Sequence, residues 1–546
     1  MNVHRLYPFC VALTILTSAC SNGGETAVTP PASPAIANGG AAAKLSILIP
    51  QKATSSTVKQ RMPQYVSPSS AQLNVAVNGG TASTYGLSPA TPGCSTVQAQ
   101  LACVFSIPAP AGNDSFALSL ADGAGNVLSR NVVDATLTAG ATTPVNVTLD
   151  AVPASVAIVP GTAATMDGNA STGYHIPGLF AQAVELEAID ADGNVIIGPG
   201  APAIGTPVVS GSTNVSIVSA NTSDPNAYLL KASAGAGGQT VSVSASAQGI
   251  PLSDGTTSTP VNSSQSFTYT PAIAVASGTT ISAYSVESGK QVALWNACPG
   301  ACSLTLATGA QSDTQGNLYV LVEYISGISQ SRVVQVYPAG TKTMSLQMNS
   351  ANGVTGAVSV ALDSNHMLYV LNAASGFGLS HHAASITEYA SGATTPTYTI
   401  SGTLTKLSTP VSIGVDGHGN VYESDGAGYI NIYKPGRQTA PFQQLIDATN
   451  LPAPSYMTVN SAGAIYVDDS SKKYLAYIAP GSTSVTKTIS SSAFQGNPQD
   501  FIFDPAGNMW MSVNNSSIAE FSGSSLPTGA SLLQTMSVNG ALAWIP

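Results

Sequence analysis

Charge is what this sequence has least of. Only 8% of its 546 residues are Asp, Glu, Lys or Arg, against about 25% in an ordinary soluble domain. Lys and Arg number 16 against 26 acidic residues, giving a net charge of −10, and no basic run occurs. Phosphate backbones are held by clustered cations, so nucleic acid is excluded as a partner. The same lack removes any polybasic attraction to anionic lipid. Beyond residue 16 no apolar stretch approaches the about 20 residues that cross a bilayer as a helix. Nucleophile-elbow, zinc-protease, P-loop and dinucleotide motifs are all missing. What is present is 44% hydrophobic residues, enough to fold. The polar surface must then come from Ser, Thr, Gly, Asn and Gln, the habit of an extracellular β-rich protein. At roughly 150 residues per domain the length suggests three or four domains.

The first residues read as a targeting segment. Met1 to Arg5 carries one Arg, and Leu6 to Leu16 is apolar but too short to span. Leu16-Thr-Ser-Ala-Cys20 follows. Small residues before a Cys resemble the lipobox of bacterial lipoproteins, with Thr17 where that family usually carries an aliphatic residue. The resemblance implies a signal peptide over 1–19, cleavage after Ala19 and a lipid on Cys20. Membrane contact would then run only through that lipid. Ser21 in place of Asp implies, by the family's sorting habit, the outer membrane or cell surface. The rival reading is an ordinary signal peptide. Of the remaining cysteines Cys10 leaves with the signal, and Cys94, Cys103, Cys298 and Cys302 stay. An even count in an exported chain suggests disulfides. Three connectivities exist, and the local pairs Cys94–Cys103 and Cys298–Cys302 are the simplest. A metal site is the rival, but no His lies close in sequence to complete a tetrahedral set.

Residues 20–43 are rich in Ser, Gly, Pro and Ala and read as a flexible linker. Residues 44–150 and 151–271 each hold short alternating segments, such as QLNVAV at 72–77 and TVSVSAS at 240–246, parted by turn residues. This is the pattern of a β-sandwich. Each region also carries a similar hairpin, Asp122-Gly-Ala-Gly-Asn-Val-Leu128 and Asp190-Ala-Asp-Gly-Asn-Val-Ile196. Both resemble bacterial immunoglobulin-like modules.

Residues 272–546 contain an internal repeat. The copies are Asp313-TQGNLYVLV, Asp363-SNHMLYVLN, Asp416-GHGNVYESD, Asn460-SAGAIYVDD and Asp504-PAGNMWMSV, starting 50, 53, 44 and 44 residues apart. In each, the Asp or Asn side chain can accept the backbone N–H two residues on and start a turn. Gly316, Gly419, Gly463 and Gly507 can close it with φ > 0. A second strand follows, carrying Tyr319, Tyr369, Tyr422, Tyr466 or Trp510 to fill the wedge between neighbours. A third ends at Tyr337, Tyr389, Tyr433, Tyr477 or Phe521, and a Pro/Gly turn leads to a fourth. Four strands per repeat is the unit of a β-propeller. Kelch and WD signatures are missing. The pattern resembles the NHL-repeat group over about half the chain, departing from it where His366 replaces the turn Gly and where Asn and Arg are absent before the third strand. Segments 272–276, 280–286 and 291–295 lack a first strand, and 541–546 supplies one. The expected fold is therefore all-β: two immunoglobulin-like β-sandwich modules, 44–150 and 151–271, followed by a six-bladed β-propeller over 272–546.

Function is less legible. The repeated Asp is explained by turn geometry rather than as a calcium ligand, which would need six to eight oxygens. Asp190-Ala-Asp-Gly193 lacks the distant Glu of an EF-hand loop. His381 and His382 lie in a long Gly-rich loop after one second strand, and Glu323, Asn372, Asp425, Asp468, Asp469 and Asn514 fall near the ends of the others. They outline a polar rim on one mouth of the propeller, or else are solvated loop residues. No catalytic set and no cofactor is expected. The preferred reading is a non-catalytic surface lipoprotein that presents the propeller to a protein, glycan or envelope component. Because NHL-like six-bladed propellers include lactonases and lyases, the resemblance also implies an alternative: an enzyme with a metal or His site at the central mouth.

Overall fold

One turn recurs from end to end of the chain. In the computed structural model Asp313 Oδ1 accepts the main-chain N–H of Gln315 (3.0 Å) and of Asn317 (2.9 Å), and Oδ2 accepts the Asn317 side-chain amide (2.8 Å). Asp122, Asp190 and Asp416 repeat all three bonds. Asp363 and Asn460 keep the two main-chain bonds, while Asp504 accepts both donors of Asn508. The fourth turn residue sits at positive φ, which glycine adopts without steric cost. His366 takes it at φ 61°. The repeated Asp is thus occupied by its own hairpin.

The structure describes residues 40–546 except 51–65, 98–99, 199, 221–223, 249–259, 298–302, 305–308, 327–328, 375–381, 437–438, 470, 495, 497, 515 and 527–529. Cys20, Cys298, Cys302 and His381 lie outside the described residues, as do the expected signal peptide and most of the linker. The chain divides into two compact units, with the boundary between Leu149 and Asp150.

The first unit has two sheets across one apolar core. Ala41–Ile49 lies between Gln100–Ala109 and Thr142–Pro144, with Cys94–Val97 at the edge. Gln72–Val77 and Gly112–Ala121 pair centrally in the other sheet, flanked by Ser83–Gly86 and Val127–Leu137. Inward residues of both sheets, including Leu45, Phe105, Leu73, Phe116 and Leu120, form the core. Cys94 and Cys103 face each other across the edge pair and form a disulfide.

The second unit begins with another pair of sheets. Val156, Leu186 and Leu230 of one meet Val241, Phe267 and Tyr269 of the other. It continues as six antiparallel sheets in succession. Five follow chain order, with inner strands Gly309–Ser312, Ala357–Leu362, Pro410–Val415, Pro454–Val459 and Pro498–Phe503. In the sixth, Ala541–Ile545 pairs antiparallel with Ala272–Ser277, which is followed outward by Thr280–Ser285 and Gln291–Asn296. Each inner strand touches the inner strands of its two neighbours, and the series returns from Ala541–Ile545 to Gly309–Ser312. This is the closed arrangement of a β-propeller. Closure joins the two ends of the repeat region and shields the inner strand edges.

The second-strand aromatics fill the wedges. Tyr319 packs with Val360 of the next inner strand, Tyr369 with Ile413, Tyr422 with Met457, Tyr466 with Phe501 and Trp510 with Leu542. Third strands hold a second layer. Tyr389 OH donates to Asn352 O and Tyr433 OH to Thr405 O, pinning the short 3-10 turns that precede their inner strands. Tyr477 does not belong to this row, and its strand ends one residue later than expected, at Ile478. The register pairs Ile478 with Ile465 as it pairs Tyr433 with Val421, so Tyr477 faces the other side and packs on Tyr466 at 5.1 Å. A one-residue shift inverts the face of every strand residue, and spacing to the Pro/Gly turn cannot detect it.

The 150–271 sandwich and the ring have separate cores but one packed junction. Phe180 meets the Trp295 ring at 5.7 Å, and Trp295 meets Tyr337 at 5.9 Å. Asp167 Oδ2 accepts from Ser285 Oγ (2.6 Å) and Ser288 Oγ (2.9 Å), and His175 Nδ1 lies 2.7 Å from Glu287. Leu179 sits over Gly316 and Gly340. A Cβ on Gly340 would stand 2.2 Å from Leu179 O, whereas Gly392, at the equivalent turn of the second sheet, has nothing within 4 Å. Both have positive φ. Gly392→Ala is therefore expected to cost about 1 kcal/mol for left-handed backbone alone. Gly340→Ala should cost a further ~1–3 kcal/mol from overpacking. Thermal unfolding of the two variants measures the difference; equal losses would mean that the junction is not tightly packed there.

Candidate functional site

Strand direction gives the ring two distinct ends. Inner strands run toward the Asp hairpins, and second strands run back. The Asp hairpins and third-to-fourth turns therefore share one end, the hairpin end. The second-to-third turns and the segments entering each inner strand share the other, the loop end. The contacts of Leu179, Asp167 and His175 with Gly316, Gly340, Ser285, Glu287 and Ser288 lie at the hairpin end of the first and sixth sheets. The loop end is thus the one directed away from this sandwich.

All the described residues expected at a rim lie at the loop end, but most are turned inward. Asn372 is fully buried; its Oδ1 accepts from Thr355 N and Gly356 N, and its amide donates toward Gly353 O, Ser385 Oγ and Thr387 Oγ1. Asp425, also fully buried, accepts from the main chain of Ser408, Thr409 and Ala427 and from both hydroxyls of the Ser408–Thr409 pair. Burial pushes its pKa upward, but these donors outweigh it and hold the carboxyl below the usual range. Asp469 accepts from Ala453 N, Ser471 N and Lys472 N. Each ties the entry of its own inner strand to the end of the second strand, and Asp425 and Asp469 also hold the turn beyond it. They are structural latches with filled hydrogen-bond capacity. Glu323 is nearly buried beside Arg332, 3.7 Å away. His382 and Asn514 are exposed, and Asn514 has φ 54°.

The group that stands out involves inner-strand residues, which the sequence reading passed over. In the second to fifth sheets the inner strand bulges after its first residue. The third residues are Ser359, Ser412, Tyr456 and Asp500. Three of them bridge to the next inner strand, to which no backbone ladder runs. Ser359 Oγ accepts from Ile413 N (3.2 Å), Ser412 Oγ from Met457 N (3.2 Å) and Asp500 Oδ2 from Leu542 N (2.8 Å). Tyr456 breaks the series with a phenol that is 39% exposed. Its hydroxyl is pushed up by burial and by the nearby carboxylates of Asp500 and Asp468. Tyr456 thus keeps part of its surface open while its hydroxyl is desolvated near two carboxylates.

Asp468 and Asp500 complete the group. Ser455 Oγ donates to Asp468 Oδ2 at 2.7 Å. Burial raises Asp468 to about 6 against that bond, with Asp469 adding repulsion. Burial raises Asp500 to about 6 against bonds from Leu542 and Phe501 N–H. Near neutrality the two carboxyls can thus accept hydrogen bonds or, when protonated, donate them, beside an aromatic face. Among the described residues no cluster of three or more His, Cys, Asp or Glu is arranged to hold a metal ion. Aligning third residues of the inner strands would have exposed Tyr456 and Asp500 as departures from Ser.

No protein-family model matches the chain, and no curated protein matches it. Among solved structures the chain is similar to apo AztD from Citrobacter koseri, at 11% identity and TM-score 0.28 over 50% of this chain and 97% of that one. It is also similar to the WD40 repeats of RRP9, at 12% identity and TM-score 0.34 over 50% and 78%. The β-propeller architecture rests on the strand pairing described above.

Both carboxyls have folded pKa values above their unfolded value of 3.8. Their contribution to stability is full below about 4 and is lost as pH rises through about 6. Carboxyl carbon NMR should show both titrating near pH 6, and Asp500→Asn should remove part of the stability loss between pH 4 and 6. Midpoints near 4 for both would contradict the enclosed geometry.

Proposed function

We propose that this protein is a non-catalytic binding protein of the bacterial cell envelope, anchored by a lipid on Cys20. The ring is an NHL-like six-bladed propeller. The preceding sheet pairs are immunoglobulin-like modules, and the loop end of the ring takes the ligand. The observation that supports this best is the one-sided junction: the second sandwich packs on the hairpin end and leaves the loop end directed away. The second module is then a fixed base for the ring rather than a loose stalk.

Tyr456, Asp468 and Asp500 give the ligand-binding end its chemistry. An aromatic face beside carboxyls that both accept and donate suits a hydroxyl-rich ligand, and a glycan is the favoured class. Polar edges are recognised by hydrogen bonds while the ring covers an apolar sugar face. A sequence with only 8% charged residues fits the same partner, since it offers few ion pairs to a charged one.

The test is a glycan array probed with the whole mature chain, followed by titration of any hit. Tyr456→Ala should weaken binding at least tenfold, about 1.4 kcal/mol. Lys290→Ala, at the hairpin end, should leave binding unchanged. Binding unaffected by Tyr456→Ala, absence of any glycan ligand, or turnover of a bound sugar would each overturn the reading.

A further inference from the structure

Glu423 is a carboxylic acid in a place where the fold uses hydrocarbon. It follows Tyr422 on the second strand of the third sheet, and the residues at that position in the other repeats are Val320, Val370, Val467 and Met511. All five are inaccessible to solvent. Glu423 Oε2 accepts from Asn431 Nδ2 at 2.7 Å, while Oε1 has no hydrogen-bond partner among the described residues. A buried carboxylate with one bare oxygen is costly unless it keeps its proton.

The carboxyl is wired to the loop end. Asn431 Nδ2 also reaches Lys406 O at 3.4 Å, and Asn431 Oδ1 accepts from Gln444 Nε2 at 2.9 Å. Lys406 holds φ 61°, and the preceding Thr405 O receives the Tyr433 hydroxyl. Asn431 thus links Glu423 to the 402–409 segment, which exposes Leu404, Lys406, Ser408 and Thr409 at the loop end.

We infer that Glu423 is a proton-operated latch on the 402–409 segment. With its proton, the side chain is neutral and the Asn431 bridge holds. Without it, the Asn431 N–H bond to Oε2 strengthens but Oε1 is left charged with no donor, and the cheapest relief is for the 402–409 segment to open and let water reach Oε1. The surrounding titratable groups do not compensate that charge. Asp425, on the same strand, repels it; Tyr433, on the third strand, has its hydroxyl committed to Thr405; Lys406 contributes its carbonyl, and its exposed residue lies in the segment itself. The second sheet contributes Leu371, Ile386 and Ile400 to the apolar cluster around Tyr433. Burial, opposed by the Asn431 bond and assisted by Asp425, raises the group to about 8. Since that lies above the unfolded value of 4.5, the stabilisation is full below about 4.5 and is lost as pH rises toward 8.

Thermal and denaturant unfolding of the full chain between pH 6.5 and 8 tests this, with Glu423→Gln alongside. The wild-type unfolding constant should rise relative to the variant by up to tenfold per pH unit, the limit for one linked proton. Amide exchange, corrected for its intrinsic pH dependence, should show protection of 402–409 lost above pH 8 in the wild type and kept in the variant. Glu423→Val, which installs the residue found at three of the equivalent positions, serves if the Gln variant misfolds and should show the same flat profile. Parallel stability curves, or equal loss of protection at 402–409 in wild type and variant, would overturn the inference.

Discussion

The ring depends on a contact that no backbone ladder provides. Within each sheet, strands are joined by continuous hydrogen bonding; between sheets, the inner strands meet only through side chains. The second-strand aromatic pressed on the next inner strand is the main such contact, from Tyr319 on Val360 to Trp510 on Leu542. Burying a ring of this size removes roughly 150–250 Å² from water, more than a single hydrogen bond can offset. The Ser359, Ser412 and Asp500 bridges add direction to that adhesion. A sheet taken alone would leave two apolar faces in water, so the sheets need one another and the circle must close. Pairing Ala541–Ile545 with Ala272–Ser277 does so.

Closure also fixes where the polar residues can go. Loop-end residues that enter the sheets are consumed by holding inner-strand entries in place, as Asn372, Asp425 and Asp469 do. Their donors fill every approach, which leaves little for a ligand. Residues on the inner strands are different, since some of them reach the neighbouring inner strand. Tyr456 and Asp500 belong to this class. The bridge between inner strands is interrupted at Tyr456, whose part-exposed phenol lies near Asp500 and Asp468. Glu423 breaks the pattern on the opposite side of its strand and meets a closed apolar wall. The two departures from repeat regularity therefore have different physical consequences: a part-exposed phenol near carboxyls in one case and a concealed acid in the other.

The junction with the second sandwich shows how close packing removes freedom between modules. Leu179 fits over two turn glycines of the first sheet, and Asp167 gathers two serine hydroxyls of the sixth. Such contacts need particular atoms at particular distances, and a swinging linker would not preserve them. Val261–Thr270 runs into Ala272–Ser277 with only Pro271 between them, so the chain itself allows little slack. The base and the ring act as one body, and one end of the ring is assigned to support.

The sequence by itself determined the turns, the repeat and the alternation of strands, because these depend on residues near one another in the chain. Asp or Asn followed by Gly at a fixed offset closes a hairpin whatever lies outside it, and Tyr or Trp three to six residues later marks the buried face. The Cys94–Cys103 bond was legible for the same reason: both lie on one hairpin. Register was not legible, so the third strand of the fourth sheet was ended at Tyr477 instead of Ile478, and neither was the burial of Asn372, Asp425 and Asp469. The union of the second sandwich with the ring and the gathering of Tyr456, Asp468 and Asp500 were decided only in three dimensions. They join residues from different strands and sheets, and side-chain packing, which has no one-dimensional signature, chose which of many sequence-compatible arrangements fills space without bare polar atoms or voids.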